Sequence, residues 1–279
     1  LLTGRATFID DIHLPNLAHG AVLRSPHASA IIRNIDKTKA LALPGVLAVL
    51  THQDLGAAND PMPLLNNDRG FIYPRTHRAL APGKVHFVGE AVAFVVAESR
   101  YLAEDALELI EVTYEPMPAA IDLMAATKQG APLVHEDTDS NIACRTINAF
   151  GDVAKGFAEA DLVLKEELRP ERGCAQPIET RGVVAQFDER SGSLTVWDTT
   201  QAPVSARSLL AQKLGMAEAD IHVIAPCVGG GFGVKIMLLY AEELVVPFAA
   251  RMLKRPVKWI EDRSEHFLGS NHERLMVHY

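Results

Sequence analysis

Apolar residues cluster in short, Val- and Ala-rich runs over the first ~120 positions. LAHGAVLRS (Leu17 to Ser25), GVLAVLT (Gly45 to Thr51) and EAVAFVVAES (Glu90 to Ser99) are bounded by Pro, Gly or His and predict strands. Ser99 is placed to cap a helix in which Leu102, Ala106 and Leu109 recur at helical spacing. EVTYEP then alternates Val112 and Tyr114 on one face and closes at Pro116. A strand, a helix and a strand in so short a stretch predict a compact α/β or α+β unit.

From Pro118 to Asn148 periodicity is weak and small residues are frequent, as in a linker with room for one short helix. A second patterned region starts at Gly151. Asp152 can cap a short helix, and LVLKEEL (Leu162 to Leu168) and GVVAQFD (Gly182 to Asp188) resemble strands. SLTVWDTT pairs with the latter through the turn Asp188 to Gly192. Pro203 opens a helix carrying Leu209, Leu210, Lys213 and Leu214, which Gly215 ends. IHVIAP reads as a buried strand, a long helix is predicted from about Ile236, and VKWIED and LMVHY read as further strands. LMVHY has no evident partner, so the pattern reads as a truncated chain.

Composition narrows the classes. Of 279 residues 48% are hydrophobic and 22% charged, a globular balance, and the net charge is −8. With no Lys/Arg block, nucleic acid is a poor partner. The longest apolar stretch, from Ile236, is broken by Glu242 and Glu243 and is too short for a membrane span. Three cysteines, Cys144, Cys174 and Cys227, form no C-x-x-C pair and no closed disulfide set, which points to a reducing, cytoplasmic setting. They also cannot supply the four thiolates of an iron–sulfur cluster. His272-Glu273-Arg274-Leu275-Met276 fails the zinc H-E-x-x-H pattern, and His135-Glu136-Asp137 reads as a solvated loop rather than a ligand set.

The sharpest local feature is Gly229-Gly230-Gly231-Phe232-Gly233, between a strand and a helix. Glycines let backbone approach a ligand closely, and successive N–H groups, with a helix N-terminus behind them, favour an oxygen-rich group. A dinucleotide fingerprint would need Gly or Ala where Val234 stands, and a P-loop would need Ser or Thr where Ile236 stands. This weakens a nucleotide-binding transferase. A tight packing turn explains the glycines equally well. Gln201 offers a neutral amide suited to an oxo group, although a Gln before a Pro-initiated helix is more often a plain helix-start residue. Glu179 and Arg181, at i and i+2, would share a strand face as an exposed ion pair or place an Arg near an anionic cofactor. Cys227 reads as core rather than nucleophile, and Trp197 and Trp259 as core rather than stacking platforms.

Taken in order, TGRATFIDDI, VGEAVAFVVAES, TTQAP, PCVGGGFGVK and RPVKWIEDRSEHF resemble the N-terminal part of one family. It is the molybdopterin-binding large subunit of the xanthine dehydrogenase/aldehyde oxidase/carbon monoxide dehydrogenase enzymes. The resemblance implies an α+β chain: an α/β hammerhead domain over 1–117, a linker over 118–148, and an incomplete molybdenum-cofactor-binding domain over 149–279. It implies that Gln201 meets an oxo group of the cofactor and that Gly230, Gly231, Phe232 and Gly233 form the loop approaching it. Glu179 and Arg181 match a recurrent acidic-x-basic segment without a defined role. The cofactor so implied is molybdenum–molybdopterin in its cytosine dinucleotide form, with iron–sulfur clusters and FAD on partner subunits. The implied reaction oxidises an aldehyde, an N-heterocycle or carbon monoxide with oxygen from water. The family's carboxylate base lies in a Gly-x-Gly-Glu segment, which these residues lack. No catalytic residue is therefore assigned. Purine-oxidising members carry Glu after the loop lysine, where Ile236 stands, so purines are disfavoured. The other class left open is a metal-free fragment acting only in assembly or interaction.

Overall fold

The computed structural model describes residues 3–64, 69–170, 172–236, 239–270 and 277–278. The chain divides into two compact units. The first comprises Leu1–Pro63, Thr76–Pro118 and Ala175–Asn271, and the second Leu64–Arg75, Ala119–Cys174 and His272–Tyr279. The strands are β1 (Ala18–Arg24), β2 (Ala30–Asp36), β3 (Val46–Leu50), β4 (Lys84–Val85), β5 (Ala91–Ala97), β6 (Glu111–Pro116), β7 (Gly182–Asp188), β8 (Ser193–Asp198), β9 (Ile221–Ile224) and β10 (Val257–Ile260). The helices are α1 (Thr38–Ala42), α2 (His52–Leu55), α3 (Arg100–Glu108), α4 (Leu123–Ala126), α5 (Val153–Glu159), α6 (Pro203–Leu214), α7 (Ala241–Leu253) and α8 (Arg263–Gly269).

All of these strands belong to the first unit. Seven form one mixed sheet in the order β3-β5-β1-β10-β7-β8-β9, and β4-β2-β6 form a small antiparallel sheet. β1 runs parallel to β10, and β8 parallel to β9. The sheet thus draws on both early and late stretches of sequence. Its unbroken apolar strand β5 is explained by burial on both faces. Phe94 and Val96 join Leu210 of α6 and Leu244 of α7 in one core. Ala93, Val95 and Ala97 face Ala103 and Ala106 of α3 in another. Gly20 of β1 is required by that packing, because a side chain there would lie 2.2 Å from the Phe94 ring.

Several expectations hold at the level of hydrogen bonds. Ser99 Oγ accepts from the Leu102 amide at 3.2 Å, Asp152 Oδ1 from the Lys155 amide, and Gly215 ends α6 in the left-handed conformation. The strand predicted after α3 forms as β6 and pairs with β2 in the small sheet. β2 itself escapes the pattern because a register shift between Ile32 and Asn34 breaks its alternation. β9 is a sheet edge with only Ile221 buried, not a buried strand.

LVLKEEL is not a strand: Leu162, Val163 and Leu164 are exposed, and only Leu168 makes an isolated bridge, to His278. An apolar run without a partner strand has no backbone acceptors to organise it. The long helix begins at Ala241 rather than near Ile236, because Glu243 accepts from the Tyr240 amide and fixes the start there. Of LMVHY, Leu275, Met276 and Tyr279 lie outside the described residues, as does the His272 to Met276 segment. Among the described residues, no helix is long and apolar enough to cross a membrane.

The second unit contains α4 and α5 and keeps a different surface. Phe150, Phe157, Leu162 and Leu164 are exposed, Phe150 by 98%. Its polar contacts are on the surface: Tyr73 donates to Asp139 and Arg75 to Asp137.

Candidate functional site

The glycine segment leaves β9 and folds into a loop from Gly229 to Lys235, held at both ends by protein groups. At its start, the Gly229 amide donates to Glu179 Oε2 at 2.6 Å. Lys235, at its end, is 1% exposed and donates through Nζ to the Glu179 carbonyl at 2.9 Å and to Glu179 Oε2 at 3.2 Å. The amides of Gly233 and Lys235 donate to Gln201 Oε1 at 3.2 and 3.3 Å, and the Gln201 amide returns a bond to the Lys235 carbonyl at 2.7 Å. The loop closes on itself through Val234 N and the Gly231 carbonyl, 3.0 Å apart.

The structure therefore brings Gln201 and Gly230 to Gly233 together, joined by Glu179. Two positions require glycine for space. A side chain at Gly231 would fall 2.4 Å from Gln201 Cδ, and one at Gly229 2.5 Å from Glu179 Cβ. Phe232 adopts a left-handed φ of 51° with its ring 75% exposed, a conformation that bulky residues rarely hold. What the loop leaves unbonded matters most. Among the described residues, the N–H groups of Gly230, Gly231 and Phe232 and the Nε2 of Gln201 meet no acceptor. No helix follows directly: Gly231 to Lys235 is turn, and α7 starts at Ala241, so a helix N-terminus behind the loop is not part of the site.

Arg181 lies elsewhere. It is neither on a strand nor paired with Glu179, and at 2% exposure it is the centre of a buried ladder. Its Nη1 meets Glu242 Oε2 at 3.1 Å and its Nε meets Glu261 Oε1 at 3.0 Å, while Tyr240 lies under the guanidinium at 4.0 Å. Glu242 also accepts from Arg24 of β1, and Glu261 Oε2 contacts His266 Nδ1 at 2.8 Å. Burial alone would raise the Glu261 carboxyl, but His266 and Arg181 outweigh it and hold the group down at about 2. Burial lifts Glu265 to about 7 despite Arg24. Burial also raises Asp198 and Glu243, and the Asp198 charge makes Glu243 harder still to ionise. Lys235 is lowered by burial, against the pull of Glu179.

Sequence reasoning missed Glu242, Glu261, His266 and the structural part played by Lys235. The available signal was the pair of glutamates interrupting an apolar run, which a buried helix tolerates only with partners. Cys227 is exposed rather than core, because it precedes the loop at the sheet edge. Trp259 is buried as expected, whereas Trp197 is only half-buried. Among the described residues no cluster of His, Cys, Asp or Glu has the form of a metal site, and His135-Glu136-Asp137 is no exception.

Comparison with known proteins places this loop in context. The description "molybdopterin cofactor-binding domain" matches residues 134–279, and "aldehyde oxidase and xanthine dehydrogenase, a/b hammerhead domain" matches residues 3–118. The chain belongs to the aldehyde oxidase/xanthine dehydrogenase family. It is 40% identical to the carbon monoxide dehydrogenase large chain of Afipia carboxidovorans, over 97% of this chain and 34% of that protein. It is 37% identical to the nicotine 6-hydroxylase large subunit of Paenarthrobacter nicotinovorans, over 98% and 33%. The quinoline 2-oxidoreductase of Pseudomonas putida 86 superposes with a TM-score of 0.90 at 41% identity, over 98% of this chain and 34% of that one. This family member thus spans about a third of the length of these relatives.

Proposed function

We propose that the chain forms part of the large subunit of a molybdenum hydroxylase and that its Gly229–Lys235 loop with Gln201 holds the molybdopterin cofactor. One observation carries this reading: four donors, on Gly230, Gly231, Phe232 and Gln201, have no protein acceptor among the described residues. Backbone N–H groups and a neutral amide suit a group rich in oxygen and sulfur, and the missing side chain at Gly231 gives it room beside Gln201. When bound, that cofactor supplies the redox centre for hydroxylating a substrate carbon with oxygen from water. Gln201 and the loop amides orient it. The exposed Phe232 ring lies beside Gly230.

The relatives named above act on carbon monoxide, nicotine and quinoline by their names, and Ile236 gives no carboxylate for a purine edge. We extend this to an aldehyde, N-heterocycle or carbon monoxide as substrate here. The rest of the reading is as follows: a cytosine dinucleotide cofactor, partner subunits bearing iron–sulfur clusters and FAD, a cytoplasmic holoenzyme, and domains over 1–117 and 149–279 joined by 118–148. These residues contain no Gly-x-Gly-Glu segment, and no catalytic base is assigned among them. The exposed apolar side chains of the second unit favour an alternative, an assembly module without metal. Elemental mass spectrometry and pterin fluorescence on natively purified protein separate the two. Near-stoichiometric molybdenum and pterin support the hydroxylase, and neither in folded protein overturns it.

A further inference from the structure

The same loop poses a second question: what sets its shape. A free Gln can turn either end of its amide toward a ligand, and the two ends make opposite demands. Here the choice is forced, because Gln201 Oε1 receives two backbone N–H groups, from Gly233 and Lys235. Turning the amide over would set NH₂ against N–H. The Nε2 donor is thereby the end left for a ligand, provided that the amides of Gly233 and Lys235 stay where they are.

Those amides are held from one side chain. Glu179 Oε2 accepts both from the Gly229 amide, at the loop's start, and from Lys235 Nζ, at its end. Lys235 Nζ reaches the Glu179 carbonyl as well, and Glu179 Oε1 is steadied by the Ile9 amide at 3.3 Å. One carboxylate oxygen therefore closes the seven-residue span from Gly229 to Lys235. Lys235 is nine-tenths buried and more, and the Glu179 side chain is 14% exposed, so water competes little for these bonds. An apolar pair at these two positions would fill the space but would fix no direction.

We propose that Glu179 and Lys235 are positioning residues: their contact latches the glycine loop and so presents Gln201 to the cofactor as a donor. This rests on the cofactor assignment above, and the test is built to tell the two apart. Glu179→Ala, Lys235→Met and the near-isosteric Glu179→Gln are compared with wild type as the natively purified protein with whatever polypeptides copurify. Two quantities are read: hydrogen–deuterium exchange of peptides covering 229–235, with β8 as internal reference, and pterin per folded chain.

In the Ala and Met variants, loop exchange rises with β8 unchanged. Pterin falls roughly 10- to 100-fold, as for other groups that orient a cofactor's ligands without touching it. Glu179→Gln keeps an oxygen for Gly229 and Lys235 but sets its NH₂ against the Ile9 amide, and so retains more pterin than Glu179→Ala though less than wild type. Unchanged loop exchange in Lys235→Met, or full pterin with a loosened loop, overturns the latch. So does loss in Glu179→Gln equal to that in Glu179→Ala. Should the Ala and Met variants fail to fold, Lys235→Gln is read in their place: raised loop exchange with lowered pterin supports the latch, and wild-type values of both overturn it. Wild type without pterin or molybdenum sinks the cofactor assignment instead, and the latch is then judged by exchange alone.

Discussion

Glu179 and Arg181 stand two residues apart and enter polar regions of opposite character. Around Arg181 charges alternate in contact: Arg24, Glu242, Arg181, Glu261 and His266 follow one another, buried between β1, α7, α8 and the end of β10, with Asp198 and Glu243 beside them raised by burial. Around Glu179 the bonds serve to close a loop, and the loop's own donors are left over. Saturated buried charge fixes how elements dock, whereas unsaturated donors beside missing side chains mark where something else binds. The ladder therefore belongs to folding, and the glycine loop is the segment for which we propose a function, although both touch the same three-residue segment.

The comparison is broken most severely by Arg181→Met. It leaves Glu242 and Glu261 buried without their shared cation and should cost about 3–5 kcal/mol in urea denaturation. A loss below ~1 kcal/mol would mean that the ladder holds nothing. Next in size are the two pH limbs. Glu261 sits at about 2 against an ordinary 4.5, so its contribution, about 3 kcal/mol, is present above pH 4.5 and lost as pH falls toward 2. Glu265, raised to about 7, acts in the opposite sense: it takes up a proton on folding, so stability is greatest below 4.5 and declines as pH rises through 7. Denaturation midpoints should accordingly pass through a maximum near pH 4.5, where the two limbs meet. Glu265→Gln should make the decline between pH 4.5 and 7 shallower, the remainder belonging to Asp198, which burial also raises to about 7, and an unaltered decline would assign the whole limb to other groups.

Smaller effects belong to the loop. Gly233→Ala meets open space but must hold a φ of 85°, so it should cost about 1 kcal/mol through the backbone alone. Phe232→Ala removes an exposed ring and should change the melting temperature by no more than about 0.5 kcal/mol would. A large loss of stability there would show that the ring packs on the fold.

Most of the sheet was legible in the chain. β3, β5 and β7 carry apolar runs between turn residues, β1 and β10 do so with one polar interruption each, and β8 alternates, its buried positions being Leu194, Val196 and Asp198. β2 was not, since its alternation is interrupted at the register shift, and LVLKEEL shows the converse, a strand-like run that never finds a partner. The meeting of Gln201 with the glycines was legible only through family resemblance. Nothing local joins positions some 30 residues apart. The charges were the least legible part. Glu179 and Arg181 look like partners at i and i+2, yet each pairs with a residue 50 or more positions away: Lys235 for one, Glu242 and Glu261 for the other. Spacing along a strand cannot show that Arg181 precedes β7 and turns inward.

The central claim is that the loop around Gly231 binds a cofactor rather than merely turning the chain. Gly231→Ala tests it most directly, because its new methyl would fall 2.4 Å from Gln201 Cδ and push that exposed side chain off the loop amides, while no backbone atom is among its nearest contacts. Pterin and molybdenum per chain should be measured in wild type and variant, with melting temperatures alongside. The account predicts near-unit content in wild type and a fall of roughly tenfold or more in the variant, at nearly the same melting temperature. Equal content in both would contradict it.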